Sequence, residues 1–209
     1  KVIIREAFIP PSIKEEERLP SKILNIVNKY SEDNLVACAN AYRIKKYLDG
    51  ELYGLDQCIE VAKYAKDEGF NLHIIFVIGM LRDEDKNYYE NFAKKIAEHQ
   101  LEEFISIITQ SIPFVKLINY SDLVLRPTLT DGDALTIREA LFFKKPVIAS
   151  DVVARPNATK LYKTGDPKDL FRAIKNLDFH QNKNLELNEI LTFEDYKIIY
   201  LNIYRKWSN

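Results

Sequence analysis

Three carboxylates and a glycine are grouped in one short stretch of the chain, at Asp131, Gly132, Asp133 and Glu139. Residues 130–133 are turn formers, and apolar residues recur with helical spacing from Ala134 onward. The first amides of a helix have no acceptor within that helix, and a glycine lets a ligand approach the backbone closely. The stretch therefore predicts an anion site around residues 132–135, suited to a phosphate group.

The carboxylates can also accept hydroxyl groups of a ligand. Glu139, within the helix, can accept both hydroxyls of a vicinal diol such as a ribose, and Asp131 can accept sugar hydroxyls. Asp131 and Asp133 would repel a phosphate unless cations compensate. The cations that we expect near strand ends or the helix are Arg43, Lys45, Arg126, Arg138 and Arg155.

Two other interpretations of the same residues are open. Aspartates before a helix are common caps, worth about 0.5–2 kcal/mol. Glu139 could equally be a solvated helix residue that pairs with Arg138 or Lys144.

Alternating strands and helices must position these groups. Apolar patterning predicts strands at 35–39, 72–78, 104–109, 123–125 and 147–149. It predicts helices at 21–30, 55–68, 86–99, 113–120, from 134, 168–177 and 193–207. Such alternation is typical of an α/β fold with a doubly wound, Rossmann-like parallel sheet. The 130–133 loop would then lie at the carboxyl end of a strand, where these sheets bind ligands.

Length and composition limit the class of protein. The chain has 209 residues, which we divide into a linker or arm at 1–20, one domain at 21–192 and a final helix at 193–209. With 30 basic and 31 acidic residues the net charge is −1, which argues against a nucleic-acid partner. No apolar run reaches the roughly 18 residues that a membrane span needs. Cys38 and Cys58 are expected to be buried free thiols, which favours a reducing, cytoplasmic setting.

The histidines give no sign of a metal site. His73, His99 and His180 are scattered along the chain without the spacing of metal ligands. We expect all three to be structural or solvated.

Several segments together match one known pattern. Asp131 and Glu139 stand at the two acids of an E-x7-E motif, and Lys145–Asp151 reads K-P-V-I-A-S-D. Gly165–Pro167 reads G-D-P, and Tyr53–Asp56 has the G-x-D that opens a first helix. These features resemble the donor-binding, C-terminal half of retaining GT-B glycosyltransferases of family 4 type. The resemblance covers residues 35–204, and the variant R-P-T-x-T-D-G-D-A-L resembles a subgroup acting in surface-polysaccharide assembly.

The resemblance implies roles for individual residues. Glu139 would bind the ribose of a nucleoside diphosphate sugar, and Asp131 with the amides of Gly132–Leu135 would hold the sugar and the diphosphate. Arg43 and Lys45 match the family's Arg and Lys on the diphosphate, although Tyr53 stands where the family has its lysine and the loop at 40–53 is longer than usual. The implied catalytic set is Asp131, Glu139, Arg43 and Lys45. The implied donor-binding set is Asn40, Thr109, Thr130, Gly132, Asp133, Ala134, Leu135 and Arg126.

The resemblance also implies a reaction. A sugar would pass from the donor to an acceptor with retention at the anomeric carbon, without a metal or other cofactor. The acceptor, a sugar or a lipid-linked molecule, would bind an N-terminal domain that is absent from this chain, so the chain alone would bind nucleotide weakly and catalyse little. The parent protein would be cytoplasmic, with peripheral association at the inner face of a membrane if its acceptor is lipid-linked.

Three alternatives come from other classes. The chain could belong to another GT-B enzyme, either a nucleotide-sugar epimerase or a phosphorylase. It could be a non-catalytic nucleotide-binding or scaffold module on the same fold. Asp131-Gly132-Asp133 also resembles the D-x-D signature of metal-dependent glycosyltransferases of the other major fold, although here the triplet opens a helix at a strand end.

Overall fold

The computed structural model describes residues 18–177, together with Phe8, Pro11, Lys197, Ile198 and Leu201. The helices are α1 (Ser21–Ser31), α2 (Leu55–Glu68), α3 (Lys86–Glu98), α4 (Phe114–Tyr120), α5 (Leu135–Phe142) and α6 (Pro167–Lys175). The strands are β1 (Leu35–Ala41), β2 (Lys46–Tyr47), β3 (Gly50–Glu51), β4 (Leu72–Ile78), β5 (Ile105–Ile108), β6 (Leu123–Arg126), β7 (Val147–Ser150) and β8 (Lys160–Tyr162).

Six of the strands form one parallel sheet in the order β5-β4-β1-β6-β7-β8. Counted along the chain, these six strands are arranged 3-2-1-4-5-6, which is the order of a dinucleotide-binding Rossmann sheet. After β1 the chain adds β4 and β5 on one side of β1. It then crosses to the other side of β1 and adds β6, β7 and β8 there. The carboxyl ends of β1 and β6 therefore frame the topological switch point, where ligands bind such sheets.

Helices cover both faces of the sheet, and the central strand β1 has apolar side chains that point to each face. Ala37 and Ala39 point to the face covered by α2, α3 and α6, whereas Val36 and Cys38 point to the face covered by α1, α4 and α5. Successive side chains of a strand alternate between faces, so a strand buried on both sides reads as one continuous apolar run. The doubly wound α/β prediction is confirmed.

Both cysteines are buried free thiols, as expected, and burial raises the pKa of Cys38 to about 12. His73 is fully buried, with Nδ1 2.8 Å from the carbonyl oxygen of Glu103 and Nε2 3.0 Å from the Ser106 hydroxyl. Its ring stacks on Tyr30, and burial lowers its pKa to about 4. This histidine is therefore structural, and His180 lies outside the described residues.

The structure adds elements that the periodicity did not predict. A two-stranded antiparallel hairpin, β2–β3, fills the long loop after β1, and the short edge strand β8 extends the sheet beyond β7. Both consist of two- or three-residue strands, too short to show an alternation. The predicted linker at 1–20, the loop at 178–192 and the helix at 193–207 lie almost wholly outside the described residues. None of the helices described here has the length and apolar character that crossing a membrane requires.

Candidate functional site

The acidic loop lies at the switch point of the sheet. It leaves the carboxyl end of β6, which is paired with β1, and enters α5. The hydroxyl of Thr136, in the first turn of α5, donates a hydrogen bond of 3.3 Å to Oδ1 of Asn40 near the end of β1. The structure thus brings Asn40 and Gly132–Leu135 to the same edge of the sheet, and their donor-binding role remains a prediction.

Asp131 is the centre of an ion-pair cluster. Its carboxylate accepts two hydrogen bonds of 3.0 Å from Arg126, through Nε and Nη2, and one of 2.9 Å from Nη1 of Arg155. The Thr128 hydroxyl at 3.3 Å and the Gly132 amide at 3.0 Å donate to the same group. Burial acts to raise the pKa of Asp131, but the bonds and charges of Arg126 and Arg155 outweigh it and hold that pKa below its ordinary value.

Arg155 ties this cluster to two strand ends. Its side chain is only 2% exposed. The guanidinium donates to the carbonyl oxygens of Ser150 (3.2 Å) and Gly132 (3.4 Å), and it lies 3.3 Å from the Thr128 hydroxyl. The Ser150 hydroxyl in turn donates to the Thr128 carbonyl at 2.7 Å. Arg155 is one of the cations expected near the site. It lies outside the predicted site itself, as Thr128 and Ser150 do, because nothing in the spacing links residues from three different segments.

The segment before α2, together with the first turn of α2, packs against the start of the acidic loop. Gln57 donates to the carbonyl of Pro127 at 2.8 Å, and the amide of Leu129 donates to the carbonyl of Leu52 at 2.9 Å. Gly54 has a φ of +80°, and a Cβ there would lie 2.1 Å from the Pro127 oxygen. Only glycine permits both this conformation and this approach, so the G-x-D segment serves to fix the loop that carries Asp131.

The start of α5 differs from that of an ordinary capped helix. Within the described residues no side chain caps this helix, so the expectation that Asp131 or Asp133 acts as an ordinary cap is not met. Asp133 instead accepts two bonds, of 2.8 and 3.0 Å, from Nε of Arg138. The amide of Gly132 is not free either, because Asp131 accepts it. A Cβ added to Gly132 would meet no protein atom within 4 Å, so the fold itself does not require a glycine there.

Glu139 differs from the other acids of the site. It is half-buried on α5, and burial raises the pKa of its carboxyl group. No hydrogen bond or ion pair joins this carboxylate to any residue in the part of the chain that the structure describes. The alternative in which Glu139 pairs with Arg138 or Lys144 therefore does not hold, and the carboxylate keeps its full capacity to accept hydroxyl groups.

The two cations expected on a diphosphate have different surroundings. Arg43 forms bonds of 2.5 and 2.8 Å with Asp85 and also pairs with Glu84. The side chain of Lys45 is exposed, and its amide donates at 3.0 Å to the buried carboxylate of Glu51. Two more amides, of Tyr53 and Leu55, donate to Glu51 and hold the hairpin loop over α2. The diphosphate role of Arg43 and Lys45 remains a prediction.

The other predicted donor-binding residues lie around the same edge. Thr130, Asp133 and Leu135 are exposed, with Leu135 52% exposed, whereas Ala134 is buried. Thr109 is exposed just beyond β5, at the far side of β4 from β1. Over the described residues, no group of three or more histidine, cysteine or acidic side chains could hold a metal ion. Asp131 pairs with Arg126 and Arg155, whereas Asp133 pairs with Arg138, and the absence of a metal remains a prediction.

Solved structures resemble this domain. No protein-family model and no curated protein sequence matches the chain. Anabaena HepE in complex with UDP superposes with a TM-score of 0.67 at 17% identity, over 92% of this chain and 54% of HepE. A glycosyltransferase from Rickettsia africae gives a TM-score of 0.65 at 16% identity, over 90% of this chain and 52% of its own.

A third structure is itself an isolated domain. The C-terminal domain of a glycosyl transferase group 1 family protein (LpcC) from Francisella tularensis gives a TM-score of 0.59 at 15% identity, over 83% of this chain and 88% of that domain. The chain therefore spans about half the length of the two larger proteins and matches nearly all of this domain. These likenesses show the fold: a Rossmann-like domain of the kind that forms the C-terminal half of GT-B glycosyltransferases.

Proposed function

We propose that this domain binds the nucleoside diphosphate sugar of a retaining GT-B glycosyltransferase of family 4 type. The observation that carries the proposal is the position of Glu139. A half-buried carboxylate without a partner among the described residues stands on the helix whose first turn opens at the switch point. The fold shared with known glycosyltransferases supports the same function.

The groups of the site match the parts of such a donor. The Glu139 carboxylate would accept the two hydroxyls of the ribose, each charge-assisted bond being worth about 1.5–3 kcal/mol. The amides at the start of α5, residues 133–136, would donate to the diphosphate, which the helix dipole also favours. The Arg126, Asp131 and Arg155 group carries one positive charge in excess and lies beside that position.

These groups would act most strongly as the sugar leaves. When the bond between the sugar and the diphosphate breaks, negative charge grows on the diphosphate oxygens. Amide dipoles and cations that are already oriented toward those oxygens stabilise the transition state more than the bound donor, and that difference accelerates the reaction. The two arginines of the cluster supply positive charge at the site, so we propose that no metal or other cofactor is needed.

The remaining parts of the reaction belong to the parent protein. We propose that the acceptor, a sugar or a lipid-linked molecule, binds a second domain outside this chain, and that the product is a polysaccharide or glycoconjugate. The parent would act in the cytoplasm, with association at the inner face of a membrane if the acceptor is lipid-linked. UDP is the first nucleotide to test, since HepE was solved with it.

A non-catalytic nucleotide-binding module is the second candidate. It is favoured by a specific observation: Asp131 and Arg43, two of the four residues expected to catalyse, are engaged by side chains of their own chain. Such a module would bind a nucleotide without supporting transfer even when joined to its partner domain.

Calorimetric titration of the chain with UDP, GDP and ADP tests the proposal. We expect one of the three to bind at millimolar affinity or better, and its affinity to fall about tenfold or more in Glu139→Ala. If none binds at millimolar concentration, to the chain or to its parent, the proposal fails. If one binds and the parent still transfers no sugar from the corresponding nucleotide sugars, the second candidate is correct.

A further inference from the structure

The Asp131 carboxylate is saturated by its own chain. Oδ2 accepts bonds from Nε of Arg126 (3.0 Å), Nη1 of Arg155 (2.9 Å) and the Thr128 hydroxyl (3.3 Å). Oδ1 accepts Nη2 of Arg126 and the amide of Gly132, each at 3.0 Å. An ionised carboxylate offers about four lone-pair sites, and five donors already share them. The side chain is only 9% exposed.

We infer that Asp131 is a positioning residue that shapes the loop of residues 128–133 and does not itself contact the donor sugar. For Asp131 to accept a sugar hydroxyl, it would have to give up a bond from a buried guanidinium. A hydroxyl is a neutral donor, and a bond from a charged donor is roughly twice as strong. The exchange is therefore unfavourable, and the carboxylate stays with its arginines.

The contacts of Arg155 and Arg126 show that the turn at Gly132 is the part of the loop that is positioned. Arg155 holds the Ser150 carbonyl at the end of β7, Asp131 in the loop and the Gly132 carbonyl in the turn. Arg126 at the end of β6 holds the same carboxylate from the other side. The turn at Gly132 is thus fixed to two neighbouring strand ends by side chains of the chain itself. The amides that follow the turn, at the start of α5, take their positions from these contacts within the chain.

This inference rests on the proposed function only for the nature of the ligand. A residue that contacts the sugar and a residue that positions the loop would affect the affinities of different ligands. Loss of a sugar contact would weaken binding of UDP-glucose and leave UDP unaffected. Loss of a positioning residue would weaken both by the same factor, because the loop serves the diphosphate that both ligands carry.

The first experiment compares UDP and UDP-glucose by calorimetry in the wild type and in Asp131→Asn. Because bonds to charged groups are lost from the loop, we expect both affinities to fall about tenfold or more, with their ratio unchanged within about twofold. A loss confined to UDP-glucose would overturn the inference. Arg155→Lys keeps the positive charge but not the forked geometry of the guanidinium. Although the buried Arg155 side chain is only 2% exposed, we expect this variant also to lose affinity for UDP and for UDP-glucose by the same factor.

The second experiment needs no ligand. Amide hydrogen exchange of residues 130–135 is measured in the wild type, in Arg155→Lys and in the control Arg172→Lys, which makes the same change in an exposed pair with Asp169 on α6. We expect exchange in the loop to be about tenfold faster or more in Arg155→Lys alone, because the opening free energy of the loop falls. Unchanged exchange would overturn the inference. If the wild type binds neither UDP nor UDP-glucose, GDP and ADP with their glucose esters replace them. If none of these binds, the proposed function fails, and the exchange rates still decide whether the cluster positions the loop.

Discussion

The hydroxyl of Thr136 lies 3.3 Å from Oδ1 of Asn40, and this hydrogen bond joins the two sides of the sheet's switch point. Thr136 belongs to α5, which follows β6, while Asn40 belongs to β1. The two strands are neighbours in the sheet but far apart in the sequence. The bond sets the first turn of α5 beside the end of β1.

Replacing Glu139 should separate binding from stability. In Glu139→Ala we expect the affinity for the preferred nucleoside diphosphate to fall about tenfold or more, since two charge-assisted bonds are lost. The melting temperature at pH 7 should not fall appreciably, because burial raises the pKa of this carboxyl group and its ionised form therefore costs stability in the fold. Calorimetry and thermal denaturation measure the two effects. A large drop in melting temperature with unchanged affinity would mean that Glu139 only packs.

The raised pKa of Glu139 also predicts a pH dependence of binding. As the pH falls through this pKa, the carboxylate takes up a proton and loses acceptor capacity for the ribose. The loss of affinity should therefore begin at a higher pH than the ordinary glutamate value of 4.5 would give. Nucleotide affinity is measured at several pH values in the wild type and in Glu139→Gln. Protonation of the diphosphate affects both proteins equally, so the difference between the two pH profiles reports Glu139 alone. Parallel pH profiles in the two proteins would contradict the assignment.

Gly132 should matter to the ligand and not to the fold. An alanine there meets no protein atom within 4 Å, so we expect a stability change within about 0.5 kcal/mol, as for an ordinary surface position. The methyl group would occupy the space that a phosphate needs, and nucleotide affinity should fall about tenfold, as expected where glycine serves close approach of a ligand. Gly69→Ala is the reciprocal control: its φ of +63° predicts a loss of roughly 1 kcal/mol in stability with unchanged affinity. Equal affinities in wild type and Gly132→Ala would place the ligand elsewhere.

Much of this architecture follows from residue patterns. The parts that do not follow from them were missed for one shared reason. The strands β1 and β4 and the helices α1 to α4 were predicted to within about two residues, because continuous apolar runs and helical spacing are local signals. The position of the 130–133 loop at the carboxyl end of a strand then followed from the alternation of elements, whereas the strand order came from the structure. The hairpin β2–β3 and the edge strand β8 were missed because two- and three-residue strands have no period, and tertiary pairing alone stabilises them.

The elements that carry the candidate site were predicted better than its contacts, and the roles of its residues stay predictions. Gly132 lies in the loop between β6 and α5, and Glu139 lies on α5, as the spacing predicted. The sequence could not show that Arg126 and Arg155 both bind Asp131, because Arg155 comes from beyond the next strand and reaches back over Ser150. Ion pairs between segments depend on the packing of strands, and a motif read along one segment does not contain that information. The same holds for Arg43, whose partner Asp85 follows β4.

The ion pairs of Asp131 should make part of the stability depend on pH. Its pKa is lowered in the folded state, so its contribution is fully present above the unfolded value of about 3.9 and is lost as the pH falls through the folded value. Asp131→Asn should lower the free energy of unfolding by roughly 3 kcal/mol at pH 7. This is the lower end of the range for a broken buried ion pair, because the Arg126 side chain is 12% exposed. The difference in melting temperature between the variant and the wild type should shrink below about pH 4. A difference that stays constant down to pH 2.5 would contradict this account.

A chelator should leave nucleotide binding unchanged. Asp131 and Asp133 are each paired with arginine, and the cluster around Asp131 already supplies positive charge. We therefore expect titrations with EDTA and with Mg²⁺ to give affinities within about twofold of each other, as for a diphosphate held by amides and guanidinium groups. Binding that requires Mg²⁺ would revive the D-x-D interpretation of residues 131–133.

The claim on which all of this depends is that the first turn of α5 and Glu139 form one nucleotide site. Backbone amide resonances, followed by two-dimensional NMR during titration with UDP, GDP and ADP, test it most directly. The account predicts saturable shifts, for at least one nucleotide, at Asn40, at Gly132 to Thr136 and at Glu139. Shifts confined to another part of the domain, or no shifts at millimolar nucleotide, would contradict it.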